Sequence, residues 1–397
     1  MIIGVVGKAN VGKSTFFKAL TLADVEIANY PFATIKPNHG IGFVKVKCVD
    51  EELGVQCNPR EGFCVNHKRF VPVDIIDVAG LVPGAHEGKG MGSQFLNDLN
   101  GADALIHVID CSGSTNEKGE PVNKCSYDPA KDVEFLEEEL DFWYFDILKK
   151  GWEKFARQIQ QEQQDIVKAL AKQLSGVGVS EDLCKKIINQ LSLSGQPVSW
   201  SEKDLFNLAS EFRKATKPMI IAANKIDVPG AEDNYKRLRE TFPHLTIIPC
   251  SAESELALKE AAKHRLIEYI SGEKDFKITG DLNEKQKQAL EFIKENVLKK
   301  FVEGSGVQAI INNVIFGVLE YIAIFPGGIN KLEDQYGNVL PDCFLIPKNS
   351  TALDFAYKIH SDLGDKFIRA IDVKTKMTVG KEHLLKHRDV IEIISGK

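Results

Sequence analysis

Short apolar runs alternate with longer amphipathic stretches over the first two thirds of the chain. Residues 2–6, 220–223 and 247–250 are apolar, residues 73–78 are apolar except for two aspartates, and each run leads into a polar or glycine-rich segment. Continuous apolar runs of this length are typical of strands buried on both faces of a parallel sheet. The pattern predicts an α/β fold with a doubly wound parallel sheet, whose functional loops follow the carboxyl ends of the strands.

The middle of the chain has helical periodicity. Apolar residues recur three and four positions apart from Val133 to Ile147 and again over residues 152–174. This spacing predicts a long amphipathic helix broken near Gly151, with a return helix over residues 205–212. We expect a helical hairpin that buries its own apolar face, and a role for its tip in contacting a partner stays open.

The last eighty residues change to a strand pattern. Apolar runs at residues 318–325, 344–346 and 390–394 indicate strands, and residues 351–360 have helical spacing. This pattern predicts a compact α+β module, small but large enough to fold. In its helix, the residues expected to face the core are Leu353, Ala356 and Tyr357.

These patterns divide the chain into five predicted segments. They are the first part of an α/β domain (1–122), a helical insertion (123–215), the second part of the α/β domain (216–272), linker helices (273–317) and the C-terminal module (318–397).

Composition and charge narrow the class of protein. Apolar residues make up 43% and charged residues 27%, which is ordinary for a globular protein. The net charge of −6 argues against binding double-stranded DNA by charge alone. No apolar run approaches the length of a membrane span, and the N-terminus does not resemble a secretion signal. We therefore expect a cytoplasmic monomer, without a membrane partner, whose eight cysteines are free thiols.

The first apolar run leads directly into a candidate phosphate-binding loop. Residues 7–14 read GKANVGKS, which fits Gly-x-x-x-x-Gly-Lys-[Ser/Thr] between a strand and a helix. In such a loop the backbone N–H groups surround the phosphates, Lys13 reaches the β- and γ-phosphates, and Ser14 ligates Mg²⁺. The predicted nucleotide contacts are Gly7, Lys8, Ala9, Asn10, Val11, Gly12, Lys13, Ser14 and Thr15.

A later strand end supplies a candidate ligand for the metal ion of a nucleotide site. Asp77 begins an Asp-x-x-Gly motif, the position from which a carboxylate holds Mg²⁺ through water, and the Gly80 amide can sense the γ-phosphate. These positions, together with the phosphate-binding loop, predict a magnesium–nucleotide complex.

The base is predicted from residues 224–227, which read NKID. The Asp227 carboxylate can accept hydrogen bonds from N1–H and the N2 amino group of guanine, donors that adenine lacks. We expect the Lys225 stem to lie over the base and Asn224 to connect this loop to the phosphate-binding loop. Ser251 and Ala252 can present backbone N–H groups to guanine O6. The expected ligands are GTP and GDP.

Several segments carry a family resemblance. Residues 29–34 (NYPFAT) resemble the first switch of the Obg family of translation-factor GTPases, and residues 77–85 are similar to its second switch. Residues 88–96 look like the YchF branch, and residues 351–360 resemble a TGS domain. The chain is identified as an archaeal-type YchF-like member of this family. The resemblance implies a ubiquitin-like C-terminal module and a ribosome or structured RNA as partner.

The resemblance also assigns residues to hydrolysis. Thr34 matches the switch threonine that completes the Mg²⁺ and γ-phosphate shell. Leu81 replaces the glutamine that orients water in other GTPases, so intrinsic turnover should be slow. His86 is a candidate to approach the phosphate, and Asn10 either helps to bind K⁺ or holds the turn of its own loop. The predicted catalytic residues are Lys13, Thr34, Gly80 and His86, and the predicted metal ligands are Ser14, Thr34 and Asp77.

The resulting prediction is a Mg²⁺-dependent GTPase that hydrolyses GTP slowly and acts as a nucleotide switch on the ribosome or RNA. Two alternatives stay open. The YchF relatives prefer ATP, which would make the chain an ATPase despite its NKID sequence. Otherwise the nucleotide gates binding with negligible turnover.

Three cysteines and a histidine are grouped between the first switch and the Asp77 strand. Cys48, Cys57, Cys64 and His67 offer three thiols and an imidazole, which can bind Zn²⁺. Their spacing is not that of a zinc knuckle, because no two cysteines lie two to four residues apart. A long hairpin with free thiols is the simpler interpretation, and metal binding stays open.

Overall fold

The computed structural model of the chain describes residues 1–22, 38–78 and 99–396. It divides into two compact units. The first comprises Met1–Phe17 and Ile75–Glu253, and the second comprises Lys18–Asp74 and Ser254–Lys397. Each unit is therefore built from two separate stretches of the chain.

The strands in the described ranges are β1 (Ile2–Val6), β2 (His39–Lys47), β3 (Phe63–Val65), β4 (Lys68–Asp77), β5 (Ala104–Asp110), β6 (Met219–Asn224), β7 (Thr246–Pro249), β8 (Ile267–Glu268), β9 (Lys277–Ile278), β10 (Tyr321–Pro326), β11 (Phe344–Pro347), β12 (Phe367–Asp372), β13 (Met377–Val379) and β14 (Val390–Ser395).

The α-helices in the same ranges are α1 (Lys13–Thr21), α2 (Asp50–Leu53), α3 (Ala130–Lys149), α4 (Trp152–Gln161), α5 (Ile166–Gln173), α6 (Glu181–Gln190), α7 (Glu202–Thr216), α8 (Ala231–Thr241), α9 (Ala252–Lys263), α10 (Glu284–Ile293), α11 (Val307–Asn312), α12 (Ala352–Ile359) and α13 (Ser361–Asp365).

The first unit is organised around a parallel sheet. β1 pairs with β5, β5 with β6, and β6 with β7, all in parallel. On the other side of β1, the end of β4 is fixed by the Val78 amide, which donates to the Val5 carbonyl at 3.0 Å. The strand order therefore reverses at β1, the point at which such sheets bind ligands. The predicted doubly wound parallel sheet is confirmed.

A helical insertion separates β5 from β6. α3 packs against α7, and α5 packs against α6. The break predicted near Gly151 is present, because this residue adopts the left-handed conformation (φ 76°) between α3 and α4. The stacked rings of Trp152 and Trp200, with centroids 5.4 Å apart, lie in the apolar core of the insertion.

One detail of the predicted insertion is wrong. Residues 152–174 do not form a single helix, because α4 ends at Gln161 and α5 begins after Asp165. The Asp165 carboxylate accepts a hydrogen bond from the Val167 amide at 2.8 Å and so starts a new helix. The apolar periodicity continues through this break, which is why spacing alone does not reveal it.

The second unit contains the predicted C-terminal α+β module. Its sheet has the order β11-β10-β14-β12-β13, with β10 and β14 parallel and the other pairs antiparallel. α12 begins with a capping box in which Thr351 and Asp354 bond each other's backbone amides. Phe355 is fully buried, whereas Tyr357 is 48% exposed, so the inward position predicted for Tyr357 is wrong. The Tyr357 hydroxyl instead donates to Asp365 at 3.0 Å.

The same unit holds a tight hairpin between β3 and β4. Asn66 and His67 form its two-residue turn, and both have positive φ angles (49° and 58°). Two consecutive positive φ angles match the right-handed twist of the flanking strands. The rings of Phe63 and Phe70 stack across the hairpin with centroids 4.5 Å apart.

Two further observations concern the whole set of described residues. None of the helices combines the length and the apolar character that a membrane span requires. All eight cysteines lie within the described ranges, and none of them forms a disulfide bond there.

Candidate functional site: the loops at the carboxyl ends of the parallel sheet

The phosphate-binding loop connects β1 to α1 in the first unit. α1 begins at Lys13, and Gly12 has a φ of 91° that only glycine adopts readily. A Cβ atom at residue 12 would also collide with the side-chain nitrogen of Asn224. Gly12 is therefore required both by its backbone conformation and by the close approach of a second loop.

Lys13 and Asp77 lie together at the end of β4. The Lys13 ammonium donates to the Asp77 carboxylate, and the two side chains are only 13% and 16% exposed. The lysine predicted to hold the phosphates and the carboxylate predicted to hold Mg²⁺ are thus direct neighbours. Ser14, the other described candidate metal ligand, is exposed at the start of α1.

Asn224 connects three loops, as predicted for its contact with the phosphate-binding loop. Its side-chain nitrogen donates to the Val11 carbonyl at 2.9 Å, and its side-chain oxygen accepts from the Ala252 amide at 3.0 Å. Asn224 is buried, so each lost hydrogen bond would leave a polar backbone group without a partner. The NKID loop, the phosphate-binding loop and the Ser251–Ala252 segment are held in one arrangement.

Lys225 and Asp227 differ in how they are engaged. Lys225 has a positive φ of 61°, and its ammonium donates to the Asn10 carbonyl at 3.1 Å and to Asp110 at 2.9 Å. Asp227 is partly exposed, and its carboxylate has no hydrogen bond or ion pair within the described part of the chain. Its acceptor oxygens remain available for the donors of a base.

Asp110 is a member of the site that sequence reasoning missed. It is buried at the end of β5 and accepts hydrogen bonds from Ser112, Ser114, Thr115 and Lys225 at 2.5–3.0 Å. Burial opposes its ionisation, but these hydrogen bonds, led by Ser112 and Lys225, lower the pKa of Asp110. The sequence feature that could have revealed Asp110 is its position at the end of an apolar strand, which it shares with Asp77 and Asn224.

The Lys8 side chain does not face the loop that it belongs to. Its ammonium is buried, donates to Asp132 at 2.8 Å and lies 3.9 Å from the centre of the Tyr127 ring. Only the backbone of Lys8 is placed to serve as a phosphate contact. Its side chain instead joins the phosphate-binding loop to the start of α3.

Asn10 connects the phosphate-binding loop to a second segment of the chain at Gly119. It adopts a left-handed conformation (φ 63°), and its amide nitrogen donates to the Gly119 carbonyl at 2.9 Å. The side chain therefore bonds a different segment instead of the turn of its own loop, which was one of the two roles considered for Asn10. Its part in binding K⁺ stays a prediction.

Several predicted residues lie outside the described ranges. They are Thr34, Gly80, Leu81 and His86, together with both switch segments at residues 29–34 and 80–96. Their roles in hydrolysis and in completing the metal shell stay predictions. Among the described residues, the site unites Gly12, Lys13, Ser14, Asp77, Asn224, Lys225 and Ala252 around the strand ends of one sheet.

A glycine-rich loop before a helix, an acidic residue on the neighbouring strand end and an NKID loop define a P-loop GTP-binding protein. Comparison with known families agrees. Residues 2–139 match the family described as 50S ribosome-binding GTPase, residues 222–327 match the Obg-like GTPase YGR210-like, G4 motif-containing domain, and residues 336–395 match the TGS domain.

Individual relatives extend the match over the whole chain. A GTP-binding protein of Methanocaldococcus jannaschii is 52% identical over 100% of this chain and 99% of its own length. The crystal structure of a GTP-binding protein from Pyrococcus horikoshii OT3 superposes with a TM-score of 0.80 at 40% identity, covering 100% of both chains. The protein named ribosome-binding ATPase YchF from Escherichia coli O157:H7 is 28% identical over 92% of this chain and 86% of its own length.

The chain belongs to the Obg family of GTP-binding proteins, in its YchF-like branch with a C-terminal TGS domain.

Proposed function

We propose that this protein is a Mg²⁺-dependent GTPase of low intrinsic activity, whose nucleotide state controls its association with the ribosome in the cytoplasm. The observation that carries the proposal is the position of Asn224, which bonds the phosphate-binding loop and the Ser251–Ala252 segment at once. This arrangement supports one site for both phosphates and base. Asp227 would stand beside that site with its carboxylate available.

The residues present fit a magnesium–nucleotide complex. Mg²⁺ prefers oxygen ligands and retains several waters, and the hydroxyl of Ser14 and the carboxylate of Asp77 offer such oxygens. When the nucleotide binds, the Lys13 ammonium would leave Asp77 and contact the phosphates. The Asp77 carboxylate would then be available to the metal ion and its waters. The metal would neutralise charge that develops on the phosphates during hydrolysis.

Guanine preference follows from hydrogen-bond matching. A carboxylate at Asp227 accepts two hydrogen bonds from guanine, but adenine presents an acceptor and a C–H group at the same positions. Leaving a carboxylate without donors in a closed site costs several kcal/mol, which corresponds to a discrimination of about a hundredfold or more. This reasoning favours GTP over ATP.

The first test is calorimetric titration of the protein with GTP, GDP and ATP in the presence of Mg²⁺. We expect tight guanine-nucleotide binding and weak ATP binding. In Asp227→Asn the new amide can accept from N1–H and donate to the C2 oxygen of xanthine. GTP affinity should therefore fall and XTP affinity rise, because XTP carries that oxygen in place of the guanine amino group.

The matched control is Asp233→Asn, which removes a carboxylate that is 86% exposed on α8 and should leave all affinities unchanged. Tighter binding of ATP than of GTP by the unaltered protein would overturn the proposed base recognition. That result would instead support the second candidate, a YchF-type ATPase, which the name of the Escherichia coli relative favours.

Turnover and partner are tested separately. Phosphate release should be slow in Na⁺ and in K⁺ alone, and a marked increase in K⁺ would support the K⁺-binding role of Asn10. The matched 50S ribosome-binding family supports a ribosomal partner. Co-sedimentation with ribosomes should differ between GTP-bound and GDP-bound protein, and equal sedimentation would contradict a switch.

A further inference from the structure

The second unit gathers three cysteines and an aspartate into one small cluster, which we call the thiol cluster. The three sulfur atoms of Cys48, Cys57 and Cys64 and a carboxylate oxygen of Asp50 all lie within 4.8 Å of one another. The Cys48 and Cys57 sulfurs are 3.7 Å apart, and the Cys64 sulfur is 3.9 Å from Asp50 Oδ2. Four donor atoms thus converge on one point.

These separations match a single tetrahedral metal ion. With zinc–sulfur bonds of about 2.3 Å, two sulfurs at a tetrahedral angle lie about 3.8 Å apart. A sulfur and an oxygen bound at about 2.0 Å lie about 3.5 Å apart in the same geometry. The sulfurs of the thiol cluster are too close together to span a multi-iron cluster.

Asp50 has one well-bonded oxygen and one poorly bonded oxygen. Oδ1 accepts from the Glu51 amide at 2.8 Å and contacts His67 Nδ1 at 3.0 Å. Among the described residues, Oδ2 has as partners only the distant Cys57 amide at 3.4 Å and the Cys64 thiol at 3.9 Å. The Asp50 side chain is fully buried, so an oxygen this weakly bonded is costly unless it has a further partner.

The contacts of Oδ1 have the form expected beside a metal ligand. Carboxylates that bind metals are themselves held in place by outer hydrogen bonds. His67 fills this role from the hairpin turn, where its left-handed conformation brings it to Asp50. The histidine therefore supports the carboxylate instead of supplying the fourth ligand atom.

The surroundings also suit a negatively charged metal complex. Three thiolates and a carboxylate around a divalent ion leave a net charge of −2. Arg69 lies opposite Cys64 in the β3–β4 register and is 1% exposed, and its Nε and Nη1 have no hydrogen-bond partner among the described residues. A buried cation of this kind offsets part of the charge.

We propose that Cys48, Cys57, Cys64 and Asp50 Oδ2 bind one zinc ion, which stabilises α2 and the β3–β4 hairpin in the second unit. Its donor residues belong to the second unit, whereas Gly12, Lys13, Asp77 and Asn224 belong to the first. It explains why two buried thiols, a third that is partly buried and a buried carboxylate lie together beside the apolar side chains of Val49, Phe325 and Leu340.

Cobalt substitution tests this proposal directly. The full-length protein is purified under reducing conditions without nucleotide, stripped with a chelator and titrated with Co²⁺. We expect a thiolate-to-cobalt charge-transfer band and the intense visible bands of tetrahedral cobalt, saturating at one equivalent and removed by Zn²⁺. Elemental analysis of protein purified without chelator should give one zinc ion per chain, and chelation should lower its melting temperature.

Variants identify the ligands. Cys57→Ser should weaken metal binding and reduce the charge-transfer band. Asp50→Asn should keep that band but shift the visible bands, because the oxygen ligand changes while the sulfurs remain. The matched control is Cys343→Ser, which borders the same apolar cluster without belonging to the donor set and should bind cobalt normally.

Each contrary outcome is decisive. If reduced protein with intact secondary structure shows no cobalt–thiolate band, the proposal is wrong. The proposal is also wrong if the cobalt spectrum is unchanged in both Cys57→Ser and Asp50→Asn. A Cys48–Cys57 disulfide in place of a metal, in protein isolated under reducing conditions, would contradict it too, since that bond would consume two of the ligands.

Discussion

The nucleotide-binding loops of the first unit and the thiol cluster of the second unit are assembled in different ways. In the first unit, Asp77, Asp110 and Asn224 stand at the carboxyl ends of strands in one sheet. In the second unit, the donor atoms come from the end of β2, the helix α2, a loop and the hairpin. The first site is positioned by a sheet, whereas the second brings together short elements with little regular structure between them.

This difference predicts what each region needs in order to keep its shape. The loops of the first unit are held by hydrogen bonds between them, such as those of Asn224. They should therefore fail when a backbone conformation or one of these hydrogen bonds is changed. The thiol cluster should instead fail when its metal is removed, because ligand bonds would connect elements that otherwise share few contacts.

The largest effect is expected from Gly12→Ala. The alanine backbone would be forced into a left-handed conformation, which costs about 1–3 kcal/mol, and its Cβ would displace the Asn224 side chain. Nucleotide affinity should fall by about a hundredfold or more. The matched control is Gly178→Ala in the helical insertion, where φ is 81° but no atom lies within 4 Å of the added Cβ. Calorimetry should show normal nucleotide binding for this control despite a similar loss of stability.

If Gly178→Ala weakened nucleotide binding as much as Gly12→Ala, general destabilisation would explain both results. The close contact between the two loops would then not determine binding. Protein stripped of the thiol-cluster metal, freed of chelator and returned to Mg²⁺ should keep its nucleotide affinity, which would sharpen the contrast between the two regions.

The second-largest expected effect is a loss of stability at acid pH, which arises from a buried histidine in the first unit. His107 is buried in β5, and burial, with a further contribution from Lys8, lowers its pKa from 6.5 to about 3. Below pH 6.5 the unfolded chain binds a proton that the folded chain cannot bind, so stability falls with pH towards about 3. Between pH 6.5 and 5 the free energy of unfolding should decrease by about 2 kcal/mol through this residue.

Denaturant unfolding over this pH range measures the effect. His107→Gln should make the decrease shallower, because the group that titrates is gone. His244→Gln, which removes a histidine that is 56% exposed in the same unit, should leave the slope unchanged. An unaltered slope in His107→Gln would assign the acid response to other groups.

The two regions also differ in how far the sequence predicts them. The phosphate-binding loop and the NKID loop have short, fixed spacings, because each is a single loop whose backbone must close around a ligand. The sheet, the helix break at Gly151 and the C-terminal module followed from periodicity for the same local reason. Asp50 was not predicted as a ligand, because it is seven residues from Cys57 and fourteen from Cys64 and meets them only after the hairpin forms.

Contacts over long sequence distances were missed in the first unit as well. The Lys8 side chain finds Asp132 across 124 positions, and no spacing rule connects them. Phe355, not Tyr357, fills the core beneath α12, and the two residues lie on nearly opposite faces of the helix because they are two positions apart. Periodicity predicts that a helix has a buried face, but the neighbouring elements decide which residues lie at its edge.

The smallest effect distinguishes a hydrogen bond that shapes the nucleotide site from one that only stabilises the unit. Asn224→Ala removes the bonds to the Val11 carbonyl and the Ala252 amide. Asn234→Ala is the matched control, because Asn234 is also buried and donates to the Cys111 carbonyl at 2.9 Å, outside these loops.

Both variants should lose about 1–3 kcal/mol of stability. Only Asn224→Ala should also bind GTP about tenfold more weakly, because the loops around the nucleotide would no longer be aligned. A tenfold loss corresponds to the free energy of about one hydrogen bond. Equal GTP affinities in the two variants would show that the loops keep their arrangement without Asn224, and that the sheet alone positions Asp227 for the base.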